Sequence, residues 1–421
     1  MKNFIQKINR IDTFSPYFFL PFVLVLYFFI SLFDFSRFEY FDVNRNVFLA
    51  VLLGLAAYYA AVYITDKKQW TFPSFGLGFL RGKTIWFLYL LGAIGLVAYL
   101  IMLFTGQVGI LDESVRRNLD PKLNFLSSFL WFSVIFLLCH QILKEKELTT
   151  KKKLTYGGIL MVVFVLFILM GYRTPIMVMF FTSFIVFHYI IKRIKLTWFL
   201  SVLVILGILF SLFGFIRIIS EDPTEKHNSR EGPDVELTEE DLDENLKIQR
   251  KINATPKWVR ALNSEMVTGH IVLSKLIEYT DEHGYMYGRL HSGIFTTVLP
   301  GEQLSPRMQV TEMVNSLSVD EGKYITRPGR TTTPTYLGQL YVEAGYIAII
   351  IGFALYGLII GMLYNQVQRT GIKSYQTVGY AFVTTIFVLS LHTGLLDLVF
   401  LLMIAYAIVS TSIEKKPLQN T

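Results

Sequence analysis

One arginine, Arg173, stands in "ILMGYRTPIMVMF" (residues 168–180), inside an almost wholly apolar stretch from Leu154 to Ile191. A guanidinium stays charged at any biological pH and binds phosphate or carboxylate oxygens in pairs. An ionisable group in such a stretch is a functional-site candidate by default. Arg217 closes a second apolar run in "FGFIRIIS". Glu343 sits in a third, "TTTPTYLGQLYVEAGYIAIIIGFALYGLIIG" (residues 331–361). Its carboxylate there either neutralises an arginine or takes a proton from a hydroxyl. "GYMYGRLHSG" (residues 284–293) sets Tyr285, Tyr287, Arg289 and His291 among glycines. Tyrosine rings stack on sugars or anchor at membrane interfaces, and histidine moves protons near neutral pH.

The elements that carry these residues follow from composition. Hydrophobic residues make up 53% of the chain and charged residues 17%, with a mean hydropathy of +0.47. That composition is polytopic and membranous. Crossing a bilayer takes roughly 20 apolar residues as helix, because lipid offers the backbone no partners. Short alternating segments, the mark of a membrane barrel, are absent. The hydropathy predicts ten spans, near 16–33, 47–64, 84–104, 125–143, 154–171, 174–191, 197–216, 337–364, 375–391 and 394–412. Pro175 breaks helix continuity between the fifth and sixth. The single cysteine, Cys139, excludes an intrachain disulfide and a thiol-based metal cluster.

Lysine and arginine set the orientation. Alternate connections, beginning with the N-terminus, are rich in them: Lys2, Lys7 and Arg10, then Lys144, Lys146 and Lys151 to Lys153, then Lys192, Arg193 and Lys195. The positive-inside rule therefore puts both termini in the cytoplasm. The net charge of +7 reads as topology, not as nucleic-acid binding. Three regions result: helices over 1–219, a long outer loop over 220–336, and helices over 337–421. The loop begins with an acidic tract whose "DLD" (residues 241–243) resembles a metal-binding pair but reads as a solvated tail. No metal or other cofactor is expected. Further on, Trp258, Leu262, Met266, Leu273 and Ile277 share one helical face, an amphipathic helix that lies on the membrane or caps the bundle.

On this topology Arg173, Arg217, Arg116 and Arg117 gather at the outer face, with Arg289, Arg307, Arg327 and Arg330 in the loop. Arginines opposite the positive-inside bias call for an anion. The natural one at that depth is the diphosphate of a lipid carrier. Snorkelling or ion pairing remains the plainer reading for Arg116, Arg117 and Arg307. His392 and Asp397 suit a structural turn. Gly357 and Gly361, at GxxxG spacing, let helices approach closely.

The order of these features resembles the Wzy-type oligosaccharide repeat unit polymerases, or O-antigen polymerases. The resemblance is carried by "GYRTP", by "GYMYG" followed by "VLPGEQLSPR", and above all by "TPTYLGQLYVEAGYIAIIIGFALYGLIIG". It implies an all-α polytopic membrane glycosyltransferase related to the GT-C class and to the O-antigen ligases, in the cytoplasmic membrane. The growing glycan would pass from an undecaprenyl-diphosphate carrier onto a new lipid-linked repeat unit at the outer face. Membrane lipids, a flippase and a chain-length regulator are the implied partners. Glu343 and His291 are then the candidate catalytic pair. Arg173, Arg217, Arg289, Arg327 and Arg330 are candidates for diphosphate, and Tyr285, Tyr287 and Tyr336 for glycan. A lipid-linked glycan transporter, an O-antigen-ligase-like enzyme and a non-catalytic scaffold stay open beside this reading.

Overall fold

The structure is a computed structural model describing residues 12–32, 44–73, 80–108, 120–145, 149–170, 173–220, 256–296, 305–320 and 332–411. Among these residues every regular element is helical. In chain order they are α1 (Phe19–Phe29, extended by a 3-10 turn, Ile30–Leu32), α2 (Arg45–Lys68), α3 (Leu80–Phe104), α4 (Pro121–Lys144), α5 (Thr150–Leu169) and α6 (Arg173–Val186, continued by a π turn, Phe187–Ile191). There follow α7 (Leu196–Ser220), α8 (Lys257–His283), α9 (Arg289–Thr296), α10 (Pro306–Asp320), α11 (Tyr336–Thr370), α12 (Tyr375–Thr393) and α13 (Leu398–Thr411).

Six of these are long and apolar enough to cross a membrane: α2, α3, α4, α5, α6 with its π turn, and α11. Three apolar helices are shorter, α1 with its extension, Leu196–Ile208 of α7, and α13. The molecule is an all-α polytopic membrane protein, and length and composition support six of the ten expected spans. The expected span at 375–391 differs for a physical reason. Helix α12 is buried along nearly its whole length and carries Gln376, Thr377, Thr384, Thr385 and Ser390. A helix surrounded by protein does not need an apolar surface throughout.

Two kinds of contact assemble the bundle. Helices α2 and α11 run in close contact at the GxxxG pair. A Cβ on Gly357 would lie 2.5 Å from the backbone oxygen of Tyr58, and one on Gly361 would strike the Thr65 hydroxyl. Outside the bundle, α8 carries a strongly two-sided pattern. Leu273 and Ile277 join the main core. Val272 and Leu276 form a second cluster with Leu290, Ile294, Val310, Val314, Val342 and Leu396. Helix α8 therefore caps the bundle, and that second cluster seats α9 and α10 over one end of α11. The side chains of Trp258, Leu262 and Met266 lie outside the described residues.

Helix α11 is not straight. At 1.5 Å per residue, Tyr336 and Tyr356 would stand about 30 Å apart in one helix. Their rings instead stack at 4.0 Å. The Tyr336 hydroxyl donates to the Gly352 carbonyl at 3.3 Å, and a Cβ on Gly352 would meet the Leu340 side chain at 2.5 Å. The chain reverses at Ala344 (φ −158°, ψ 36°) and Gly345 (φ 60°, ψ −142°). Residues 336–343 fold back along the first turns of 346–370. The expected span 337–364 is corrected accordingly: its first turns form a separate short arm, and Glu343 lies at the reversal.

Candidate active site

The reversal frees backbone groups, and those groups build the site. Ending the helix at Ala344 leaves the carbonyls of Val342 and Glu343 without their partners four residues on. Two loop N–H groups take them: Met286 donates to Val342 at 2.9 Å and Tyr287 to Glu343 at 3.0 Å. The loop makes this approach through positive φ at Gly284 (84°), Tyr287 (49°) and Gly288 (92°). A non-glycine residue at positive φ is held there only by its surroundings, and such positions cluster at functional sites. Tyr287 leaves its ring outermost, 78% exposed, and Tyr285 beside it is 39% exposed. The two rings meet edge to face at 6.0 Å.

The same loop enters α9, whose first N–H groups point at the Glu343 carboxylate. Gly288 N–H donates to Oε2. His291 N–H donates to Oε1 at 2.8 Å. Glu343 is thus an N-terminal cap for α9 supplied from another helix, where the helix dipole favours negative charge. The His291 ring completes the arrangement, with Nδ1 at 2.6 Å from Oε1. The side chain of Glu343 is 8% exposed and that of His291 34%. The partner of Glu343 is a histidine and two amides, not the arginine that the sequence left as an alternative. On its other edge, His291 Nε2 faces the amide nitrogen of Gln339 at 3.3 Å. A carboxylate, a histidine and an amide thus converge beneath two exposed tyrosines. The pairing of a carboxylate with an imidazole whose far nitrogen can accept a proton is the general-base arrangement known from acyl transfer.

The arginines divide. Arg289 opens α9, exposed, next to Gly288 in the same turn. Arg173 is half-buried at the N-terminal end of α6, with Pro175 in the first turn, where a missing N–H costs nothing. Its neighbour Thr174 lines a crevice with Ser390 and Thr393 at the end of α12 and Gly394 and Leu395 of the turn that joins α12 to α13. That turn also touches the candidate site, because Leu395 N–H donates to Gln339 Oε1 at 2.7 Å. Arg217 lies in the last turn of α7, and its side chain is not among the described residues. Arg327, Arg330, Arg116, Arg117 and the "DLD" stretch lie outside them altogether.

Arg307 binds Asp397 through two contacts, at 3.2 and 2.6 Å, and so belongs to an ion pair. His392 Nδ1 meets the Tyr27 hydroxyl at 2.6 Å. Each contact ties the α12–α13 end to another element. Tyr336 is buried, with Tyr356 against one ring face, so its ring is not open to a glycan in this arrangement. Gln339 was not anticipated. Its signal was present in the sequence as a buried-type amide one helical turn before Glu343 on an apolar, glycine-seamed stretch.

The chain matches the family described as "Putative O-antigen polymerase" over residues 12–230 and 258–404. Among curated proteins and solved structures, none matches the chain. The matched residues include Arg173, Arg217, the "GYMYG" loop, His291, Gln339 and Glu343. The chain therefore belongs to the O-antigen polymerase family: it is a multi-pass membrane glycosyltransferase of the Wzy type that lengthens a lipid-linked oligosaccharide.

Proposed function

We propose that the enzyme moves a growing glycan from an undecaprenyl-diphosphate carrier onto a new lipid-linked repeat unit, with His291 as proton acceptor and Glu343 as its positioning partner. The observation that carries this reading is the Glu343–His291 pair. Glu343 is buried and both its oxygens are occupied by α9, whereas His291 keeps a third of its side chain exposed. The acceptor hydroxyl oxygen attacks the anomeric carbon. The bond from that carbon to the diphosphate oxygen breaks, and its electron pair leaves with the carrier. The hydroxyl proton passes to His291 Nε2, and the imidazolium so formed is stabilised by Glu343.

A glycosyl diphosphate is already activated, so the site has to stabilise charge developing on the departing phosphate. Arg173 and Arg289 are the candidates for this role, with Arg217, Arg327 and Arg330 as further candidates. The exposed rings of Tyr285 and Tyr287 offer sugar-stacking surfaces. We place the site at the outer face of the cytoplasmic membrane. Ten crossings in a GT-C-like bundle, cytoplasmic termini and an outer loop over 220–336 complete that topology. A flippase supplying the substrate and a chain-length regulator are the proposed protein partners. The test is to incubate the purified enzyme in liposomes with a lipid-linked repeat unit, without ATP or an ion gradient. A ladder of lengthened products is expected, abolished in His291→Asn. Movement of the substrate across the bilayer without lengthening would favour a transporter and overturn the proposal.

A further inference from the structure

Gln339 lies in the folded-back arm of α11, one turn from Glu343, and is 1% exposed. A buried amide is costly unless both its ends are paired. Here the pairing fixes its orientation. Leu395 N–H can only donate, so the atom facing it at 2.7 Å is the carbonyl Oε1. The amide nitrogen then faces His291 Nε2 at 3.3 Å. An amide NH2 can only donate. His291 Nε2 must therefore present its lone pair, and the ring proton sits on Nδ1, aimed at Glu343 Oε1. Leu395, Gln339, His291 and Glu343 form one directed chain of hydrogen bonds.

We propose that Gln339 is a positioning residue: held by Leu395 N–H, it keeps His291 in the Nδ1–H tautomer, with the Nε2 lone pair reserved for the proton of the acceptor hydroxyl. The incoming hydroxyl replaces the long Gln339 contact at the same nitrogen. This inference rests on His291 being the proton acceptor. It also gives the α12–α13 turn a part in the reaction, because that turn orients the amide and lines the crevice beside Thr174. On the elements packed against α9, the described ionisable groups near this end include Glu343 and Tyr341 on α11, the latter hydrogen-bonded to Asp281, and Arg307 and Glu312 on α10. Arg307 is engaged by Asp397, and Arg289 stands on α9 itself.

Gln339→Glu tests the inference. It keeps the shape and the acceptor for Leu395 N–H, but replaces the donor facing His291 with an oxygen. The imidazolium would then lie between two carboxylates, and the base would become available only at higher pH. The pH dependence of elongation should move, with the acid limb of kcat/KM rising by about one pH unit and a loss of about three- to tenfold at pH 7. Raising the pH should restore much of that loss. A folded Gln339→Glu enzyme with the wild-type acid limb would overturn the proposal. Should that variant not fold, Gln339→Met keeps the volume and removes both contacts. A lowered kcat at unchanged KM then supports the role, and an unchanged kcat overturns it. His291→Asn separates the two levels. Wild-type elongation by that variant removes the proton-acceptor reading itself. An inactive His291→Asn together with an unshifted Gln339→Glu removes only the role of Gln339.

Discussion

One oxygen of Glu343 receives both the backbone N–H of His291, at 2.8 Å, and its ring Nδ1, at 2.6 Å. Helix start and imidazole are thereby oriented by a single atom. A rotation of the histidine about its side chain would break the second contact while the first still held the helix. The carboxylate thus has two separable duties, seating α9 and aiming the ring.

Glu343→Gln divides those duties. The amide keeps one acceptor, but its NH2 must face an N–H group or the imidazole. If it donates to Nδ1, the ring proton moves to Nε2 and the base is lost. The equivalent exchange in the serine-protease triad lowers kcat about 10⁴-fold by imposing the wrong tautomer. A loss on the order of 10³- to 10⁴-fold in elongation is expected here, with lipid-linked substrate still bound and the melting temperature lowered by the unpaired α9 amide. Normal product ladders from a stable variant would rule out the aiming role.

Arg173→Ala tests the leaving-group side. Loss of one charge-assisted contact in a desolvated site costs about 2–5 kcal/mol, or roughly 30- to 5000-fold in rate. Arg173→Lys should recover little, because a point charge lacks the planar fork. Protein levels in the membrane should be unchanged in both variants. Full elongation by Arg173→Ala would remove the residue from the site.

Much of this site was legible in the sequence, and the illegible part has an identifiable cause. Arg173 and Glu343 stood out because ionisable groups are costly among apolar neighbours, and His291 as a proton-moving side chain among glycines. Gly357 and Gly361 announced a close helix contact through spacing alone, though not that its partner is α2. The reversal at Ala344–Gly345 did not show, because a glycine recurring at Gly338, Gly345 and Gly352 reads as a packing seam in a continuous helix. What ends the helix is tertiary: Met286 and Tyr287, far off in sequence, supply the N–H groups that make freed carbonyls tolerable. For the same reason Gln339 looked like filler until its partners on α9 and at Leu395 were in place. The burial of Tyr336 did not show either, because the fold-back is what packs its ring on Tyr356.

Gly345→Ala should disturb both fold and activity. With φ 60° and ψ −142°, Gly345 occupies a region nearly closed to other residues, at a cost of about 1–3 kcal/mol. An added Cβ would also lie 2.8 Å from the Tyr285 hydroxyl. Thermal unfolding of the purified variant should begin several degrees lower. Elongation should fall further than stability accounts for, because the arm carrying Gln339 and Glu343 pivots there. Unchanged stability would mean that the reversal is not a strained feature.

The proposed topology predicts that residues 220–335 are reachable from outside. Ser229→Cys in a Cys139→Ser background should react with an impermeant thiol reagent in intact cells or spheroplasts. Cys139 is the one native cysteine of the sequence, so its replacement leaves no other thiol to label. Labelling only after lysis would reverse the orientation and move the site to the other face.

The attachment of α8 to the bundle should be sensitive to acid through His270. The Ser31 hydroxyl donates to the Phe28 carbonyl at 2.7 Å, so its oxygen accepts from His270 Nδ1–H at 3.3 Å. On the other side, Nε2 accepts the Asn44 N–H at 3.1 Å. This pattern requires the neutral ring, since a protonated Nε2 would set one N–H against another. Burial accordingly holds the His270 pKa down to about 4, from an ordinary value of 6.5. Between those two values the unfolded chain binds a proton that the folded protein refuses. Stability from this residue is therefore complete above about pH 6.5 and declines as the pH falls towards 4. Melting temperatures measured at pH 7.5 and pH 5 should differ in the wild type, and by less in His270→Gln, whose amide does not titrate. An equal drop in both proteins would assign the acid sensitivity to other groups and leave His270 a packing residue alone.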